Sequence, residues 1–230
     1  MDHVQLNTVS TVEAVCKALE DDIFHLRFPP GSKITENDLT SRYGVSRNTI
    51  REAIAYLLSN GLLEKIANKG VYVRTITGED LLELFRLREL LELEAMRQIM
   101  HSGVIPADLS RYVEALEAIA ASHVQDAAAI DAYVRADIRF HQQLVAAAGS
   151  PRLNRLYETI ITEVMYCIYL SQSKMASENA KLPTERLDQH RKILEALEAE
   201  DPELAAQVIS THMRESCRQY YEEFEQSSKQ

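Results

Sequence analysis

The sequence predicts a mainly α fold in two parts. Residues 1–76 form an N-terminal winged helix-turn-helix, and residues 77–230 form an all-α antiparallel helix bundle. Three observations carry this expectation. Glycine and proline crowd the first third, where Pro29-Pro30-Gly31, Gly44, Gly61, Gly70 and Gly78 cut the chain into short elements. Beyond Gly78, only Gly103, Pro106, Gly149, Pro151, Pro183 and Pro202 interrupt long stretches of helical apolar period. Charge divides at the same place. The 25 Lys/Arg and 35 Asp/Glu fall as nine and nine in residues 1–76 and as 16 and 26 in residues 77–230, so the net charge of −10 belongs to the second part.

In chain order, the first helix is expected from about Thr8 to His25, with Val12, Val15, Cys16, Leu19 and Ile23 as its buried stripe. The turn Phe28-Pro29-Pro30-Gly31 ends it. A second, short helix starts at Thr35 in a Thr-x-x-Asp38 cap and stops at Gly44. A third is capped by Ser46 and runs to about Asn60, before Gly61. Leu62–Ile66 and Val71–Arg74 read as two strands around the turn Ala67-Asn68-Lys69-Gly70. Thr77 caps the next helix, with Asp80 at its third position. The remaining helices are expected at 78–101, 107–122, 126–148, 151–179, 184–199 and 202–225. Long helices with little glycine pack as an antiparallel bundle.

Composition excludes several classes. The chain is 46% hydrophobic and 26% charged, ordinary for a soluble protein. No apolar run reaches the ~18 residues of a membrane span, and MDHVQLNTVS lacks a signal-peptide pattern, so a cytoplasmic location is expected. Cys16, Cys167 and Cys217 are odd in number and widely spaced, which fits neither a disulfide scaffold nor a cysteine zinc site.

The third helix carries its apolar residues, Ile50, Ala53, Ile54, Leu57 and Leu58, on one face. Arg47, Asn48 and Arg51 therefore point the other way, near the helix N-terminus, where a recognition helix sends side chains into the major groove. Arg forks onto guanine or phosphate, and Asn pairs with adenine. Ser46 and Thr49 can bond phosphate beside the free N–H groups of the helix start. Arg42, before the turn, can add a phosphate contact, and Lys69 and Gly70 at the wing tip can approach the DNA backbone or the minor groove. One exposed Arg alone is ordinary surface charge. The turn at Gly44, the cap at Ser46 and the wing behind make double-stranded DNA the expected partner. The segment PPGSKITENDLTSRYGVSRNTIREAIAYLLSNGLLEKIANKGVYV resembles the DNA-binding domain of the GntR family of bacterial transcription regulators, a likeness that covers residues from about 8 to 76.

In the acidic part, polar residues interrupt apolar stripes. Ile130, Val134, Asp137, His141, Leu144 and Ala148 step by three or four, as do Leu187, His190, Leu194 and Leu197. Leu204, Val208 and His212 step by four. His190 and His212 each lie eleven residues from Asp201 in the turn, so in an antiparallel hairpin they stand at one height. With Asp137 and His141 they make a three-His, one-Asp set that suits zinc, nickel, manganese or a similar divalent ion. Four ligands on an octahedral ion leave two positions for water or a ligand oxygen. A lone core His is more often a satisfied buried side chain, but four unpaired polar groups would cost several kcal/mol to bury. His3, His25, His101 and His123 read as surface. Arg88 lies on the stripe Leu81, Leu84, Arg88, Leu91, Ala95. It can clamp a carboxylate with two bonds, or form a buried ion pair with Glu92 one turn on.

The stretches ADIRFHQQL, DQHRKILEALEAED and THMRES resemble the effector-binding FCD domain of the FadR-type subgroup of that family. The resemblance implies a divalent metal, with zinc first, on Asp137, His141, His190 and His212. It also implies a small carboxylate effector on that metal, for which Arg88 is the candidate contact. Where the family often has Asn in the loop after the Asp/His helix, AAAGSPRL has Ser150. The function expected is a ligand-responsive transcription regulator, a repressor, acting as a homodimer and not as an enzyme. A metal-dependent hydrolase and a regulator with a purely structural metal are the alternatives.

Overall fold

The computed structural model describes residues 10–103, 108–122, 126–173 and 185–228, which divide into two compact units between Thr75 and Ile76. In the first unit, α1 spans Thr11–Phe24, β1 Lys33–Ile34, α2 Glu36–Tyr43, α3 Arg47–Ser59, β2 Leu63–Ile66 and β3 Gly70–Val73. Each helix starts at a side chain that accepts from a free N–H: Ser10 from Glu13, Thr35 from Asp38 and Ser46 from Thr49. The expected start of α1 at about Thr8 is corrected to Thr11, because Ser10 is extended and caps the helix there. Val15, Cys16, Leu19 and Ile23 are buried on α1, while Ile50, Ala53, Ile54 and Leu57 are buried on α3, and the two helices pack together. Gly44, at φ +66°, makes the left-handed turn between α2 and α3.

The wing is a three-stranded antiparallel sheet in the order β1-β3-β2. Leu63 pairs with Val73 and Ile66 with Gly70, while Lys33 and Ile34 on β1 pair with Tyr72 and Val71. The hairpin expectation holds with ends shifted by one residue. β1 was not anticipated.

The second unit contains α4 (Gly78–Ser102), α5 (Leu109–Ala121), α6 (Ala127–Ala147), α7 (Pro151–Ser173), α8 (Glu185–Glu198) and α9 (Pro202–Ser228). Residues 107, 174–179 and 184 of the expected helices, with His3 and His123, fall outside the described residues. Helix α4 packs on α6, α7 and α9, whereas α5 packs on α6 and α8. Its core includes Met96, Ile99, Phe140, Leu144, Ile193, Leu197, Ile209 and Met213. The expected stripe on α9 needs correction. Leu204 is 40% exposed, and the buried line runs through Ala205, Ile209, Met213 and Tyr220, with His212 at its edge. Among the described residues, no helix is long and apolar enough to cross a membrane.

Candidate metal centre and nucleic-acid interface

The helical period turns Asp137 and His141 of α6 inward one turn apart, and the α8–α9 hairpin supplies His190 and His212. All four are buried, and one donor atom from each lies within 4.8 Å of the others. His190 Nε2 stands 3.1 Å from Asp137 Oδ1, and His141 Nε2 stands 3.1 Å from His212 Nε2. Phe140 stands near-perpendicular to the His141 and His190 rings, at 5.1 and 4.9 Å between centroids.

Which atoms carry hydrogen follows from the neighbours. His141 Nδ1 lies 2.6 Å from Glu92 Oε2, and a carboxylate only accepts, so Nδ1 carries the proton. His212 Nδ1 lies 2.8 Å from Gln189 Oε1. The Gln189 amide nitrogen donates to Glu215, which fixes its oxygen towards His212. Both Nε2 atoms therefore present lone pairs to each other across 3.1 Å in a site shut off from water. Such a contact is repulsive unless a cation accepts both pairs. Asp137 Oδ1, also buried, meets no hydrogen-bond donor of adequate geometry. The donor set fits a divalent metal.

Electrostatics prepare the same state. Burial first, then the Arg88 cation, lowers the His141 pKa. Burial and the other two imidazoles hold His212 well below its ordinary value. Burial pushes Asp137 up, but His190, His141 and Arg88 together outweigh it and leave its carboxyl well below the usual range. At neutral pH the site thus offers one carboxylate, with His141 and His212 neutral, as metal ligation requires.

Arg88 and Glu92 form the buried ion pair that was weighed against a ligand role, with Nε 2.8 Å from Oε1. Tyr157 donates to the same oxygen at 2.7 Å. Arg88 Nη2 is also buried and has no hydrogen-bond partner. The pair therefore leaves the Nη2 group of the guanidinium unsatisfied. Burial raises the Glu92 pKa, but His141 and Arg88 outweigh it and bring it down to about 2.

In the first unit Arg47, Asn48 and Arg51 are exposed at the start of α3. Arg47 Nη2 donates to Asn37 Oδ1 at 3.2 Å and Arg51 Nε to Glu36 at 2.9 Å, both on α2. Ser46 and Thr49 hydroxyls lie 2.9 Å apart within the cap. Arg42, expected at phosphate, donates from Nε to the buried Asp22 at 2.5 Å. Lys69 is exposed in the wing turn, and Gly70 adopts φ +120°. A Cβ there would sit 3.3 Å from Lys33 Cε, so the Lys33 chain runs alongside Gly70.

Sequence reasoning missed Glu92 as a partner of His141, Gln189 as a partner of His212, and Tyr157. Gln189 directly precedes a ligand, which is a usable signal. Glu92 and Tyr157 are far from His141 in sequence and gave none. Lys33 was missed because β1 was missed.

Comparison with known proteins gives two family matches. Residues 11–73 match the bacterial regulatory proteins of the gntR family, and residues 83–215 match the FCD domain. The chain is 30% identical to a probable D-xylose utilization operon transcriptional repressor of Paenarthrobacter nicotinovorans, over 81% of this chain and 78% of that protein. It is 26% identical to the HTH-type transcriptional repressor RspR of Escherichia coli, over 95% of this chain and 94% of the other. A crystal structure of a GntR regulator from a Rhodococcus species superposes with a TM-score of 0.69 at 30% identity, covering 91% of this chain and 96% of that one.

Proposed function

This chain belongs to the GntR family of bacterial transcription regulators and carries an FCD domain, and from that premise we propose a repressor switched by a small organic acid at a metal centre. It is a DNA-binding regulator. Both domains are regulatory rather than enzymatic, which sets the hydrolase reading aside. Repression is supported by the names of the D-xylose operon and RspR relatives. A cytoplasmic location follows from that role.

In this reading residues 1–76 bind DNA and residues 77–230 bind metal and effector and pair two copies. Arg47, Asn48 and Arg51 reach the major groove, while Ser46, Thr49, Arg42, Lys69 and Gly70 meet the phosphate backbone. Lys33, beside Gly70, joins the wing contact. The Arg47–Asn37 and Arg51–Glu36 bonds are exposed and worth little, so phosphate or base edges can replace them. Exposed Leu87 and Leu90 on α4 and Leu204 on α9 supply apolar surface for a second copy. A twofold dimer then presents two recognition helices to a palindromic operator.

Asp137, His141, His190 and His212 hold the metal, zinc first, with nickel or manganese also suited. The observation that carries this is the 3.1 Å approach of the His141 and His212 Nε2 atoms, both left as acceptors by the partners at their Nδ1 atoms. When bound, the metal supplies a Lewis-acid anchor for a carboxylate oxygen. Arg88 Nη2, a buried donor without an acceptor, binds the same carboxylate. The acid shifts DNA affinity only by its difference in affinity between two arrangements of the chain.

Elemental analysis of the purified protein tests the centre. About one zinc per chain in wild type and its loss in His212→Ala are expected; equal content in the two sinks the site. A thermal-shift screen with dicarboxylates, hydroxy acids and sugar acids then tests the effector. If stripping the metal lowers the melting temperature but leaves acid binding unchanged, the metal is purely structural.

A further inference from the structure

We propose that Glu92 is a positioning residue that holds both halves of this centre, fixing the His141 ring for the metal and the Arg88 guanidinium for the anion. The inference rests on the metal reading above and adds a residue that ligates nothing itself. The argument is one of atom counting. Glu92 has two carboxylate oxygens and is fully buried. Oε2 faces His141 Nδ1 at 2.6 Å, and Oε1 accepts from Arg88 Nε at 2.8 Å and from the Tyr157 hydroxyl at 2.7 Å. Each oxygen is engaged, and among the described residues His141 Nδ1 meets no other carboxylate. Glu92 comes from α4, His141 from α6 and Tyr157 from α7, so one side chain ties three helices at the level of the site.

The consequence for His141 is specific. An acceptor at Nδ1 keeps the proton there and leaves Nε2 as a lone pair aimed into the cluster. A carboxylate also makes the imidazole a stronger donor to a metal than an amide acceptor does. The contrast lies within the same site: His212 is held by the neutral amide of Gln189. The two imidazoles whose Nε2 atoms converge are thus backed differently, and Glu92 supplies the charged backing. For Arg88, the bond from Nε to Oε1 turns the guanidinium so that Nη2 is the group left over. Tyr157 shares that oxygen and limits how far Glu92 can swing.

The test uses full-length protein and zinc alone as probe. Zinc affinity is measured by competition with a chromophoric chelator in wild type, Glu92→Gln, Tyr157→Phe and the double change Arg88→Met/Glu92→Gln. The His141 tautomer is read by nitrogen-15 NMR of metal-free protein at mildly alkaline pH. Glu92→Gln is expected to weaken zinc binding about 10–100-fold and to erode the Nδ1–H tautomer of His141 while leaving that of His212 intact. Tyr157→Phe should give a smaller loss in the same direction. Glu92→Gln leaves the Arg88 charge buried, so it can unfold the domain. The double change removes both charges and keeps the question answerable. Wild-type zinc affinity and an unchanged His141 tautomer in the folded Glu92 variants overturn the inference and spare the metal centre. A wild-type chain that takes up no zinc sinks the metal reading and this inference with it.

Discussion

A buried carboxylate survives in a small domain only where donors surround it, and Asp22 meets that condition. It is 5% exposed and accepts from Arg27 at 2.6 Å, Arg42 at 2.5 Å and Tyr43 at 2.8 Å. Burial raises its pKa, but the three donors outweigh it and the net shift is downward. The folded value therefore lies below the unfolded ~3.9, so this stabilisation is complete above ~3.9 and is lost as pH falls through the folded value. Asp22→Ala strands a phenol and two guanidinium groups that are partly exposed, and is expected to cost about 2 kcal/mol, measured by denaturant unfolding of the winged unit. An unchanged midpoint would mean that solvent replaces all three bonds. Residues that a helical period turns inward were legible: Asp137, His141, His190, His212 and Arg88 are all buried. Beyond the Asp/His cluster and the Arg88–Glu92 pair one turn apart, what each inward residue touches was not legible. Glu92 meets His141 across 49 residues of chain, and Arg42 meets Asp22 across 20. A period reports which way a side chain faces, and only tertiary packing decides its partner.

Among the elements, helix starts were the most readable because the chemistry of a cap is local. Thr77 accepts from the Asp80 N–H at 3.1 Å, and Asp80 accepts from the Thr77 N–H at 2.8 Å, so two donors at the start of α4 are satisfied reciprocally. Thr77→Ala removes one of these and is expected to cost ~1 kcal/mol, or about 2–4 °C in melting temperature for a chain of this size. A calorimetric scan that shows no shift would mean water caps α4 equally well. Strand β1 shows the opposite case. Two residues cannot display a period of two, and Lys33–Ile34 is a strand only because β3 offers it an edge. The Leu204 error on α9 has a related cause. Steps of four drift around a helix, and the true buried line through Ala205, Ile209 and Met213 lies one residue on.

Over the whole molecule, the net charge of −10 works against DNA, and the binding unit itself is neutral. Affinity for the operator must then come from local phosphate contacts rather than from a general positive field. Local contacts leave a countable signature. Each phosphate neutralised releases counterions, so log K falls linearly with log salt, with a slope near −0.9 per contact. Lys69→Ala removes a proposed phosphate contact and should reduce the slope by about 1 per copy, hence about 2 for a homodimer that places both wings on DNA. Asn48→Ala removes a proposed base contact and should leave the slope alone while lowering discrimination between operator and mutated sites by about 1–3 kcal/mol per base pair. Arg47→Ala and Arg51→Ala separate by the same two measurements. A binding titration at several salt concentrations decides among these. A slope reduced by about 1 for Lys69→Ala would mean that only one copy seats its wing. Unchanged slope and unchanged discrimination in all four variants would move the DNA contact away from α3 and the wing altogether.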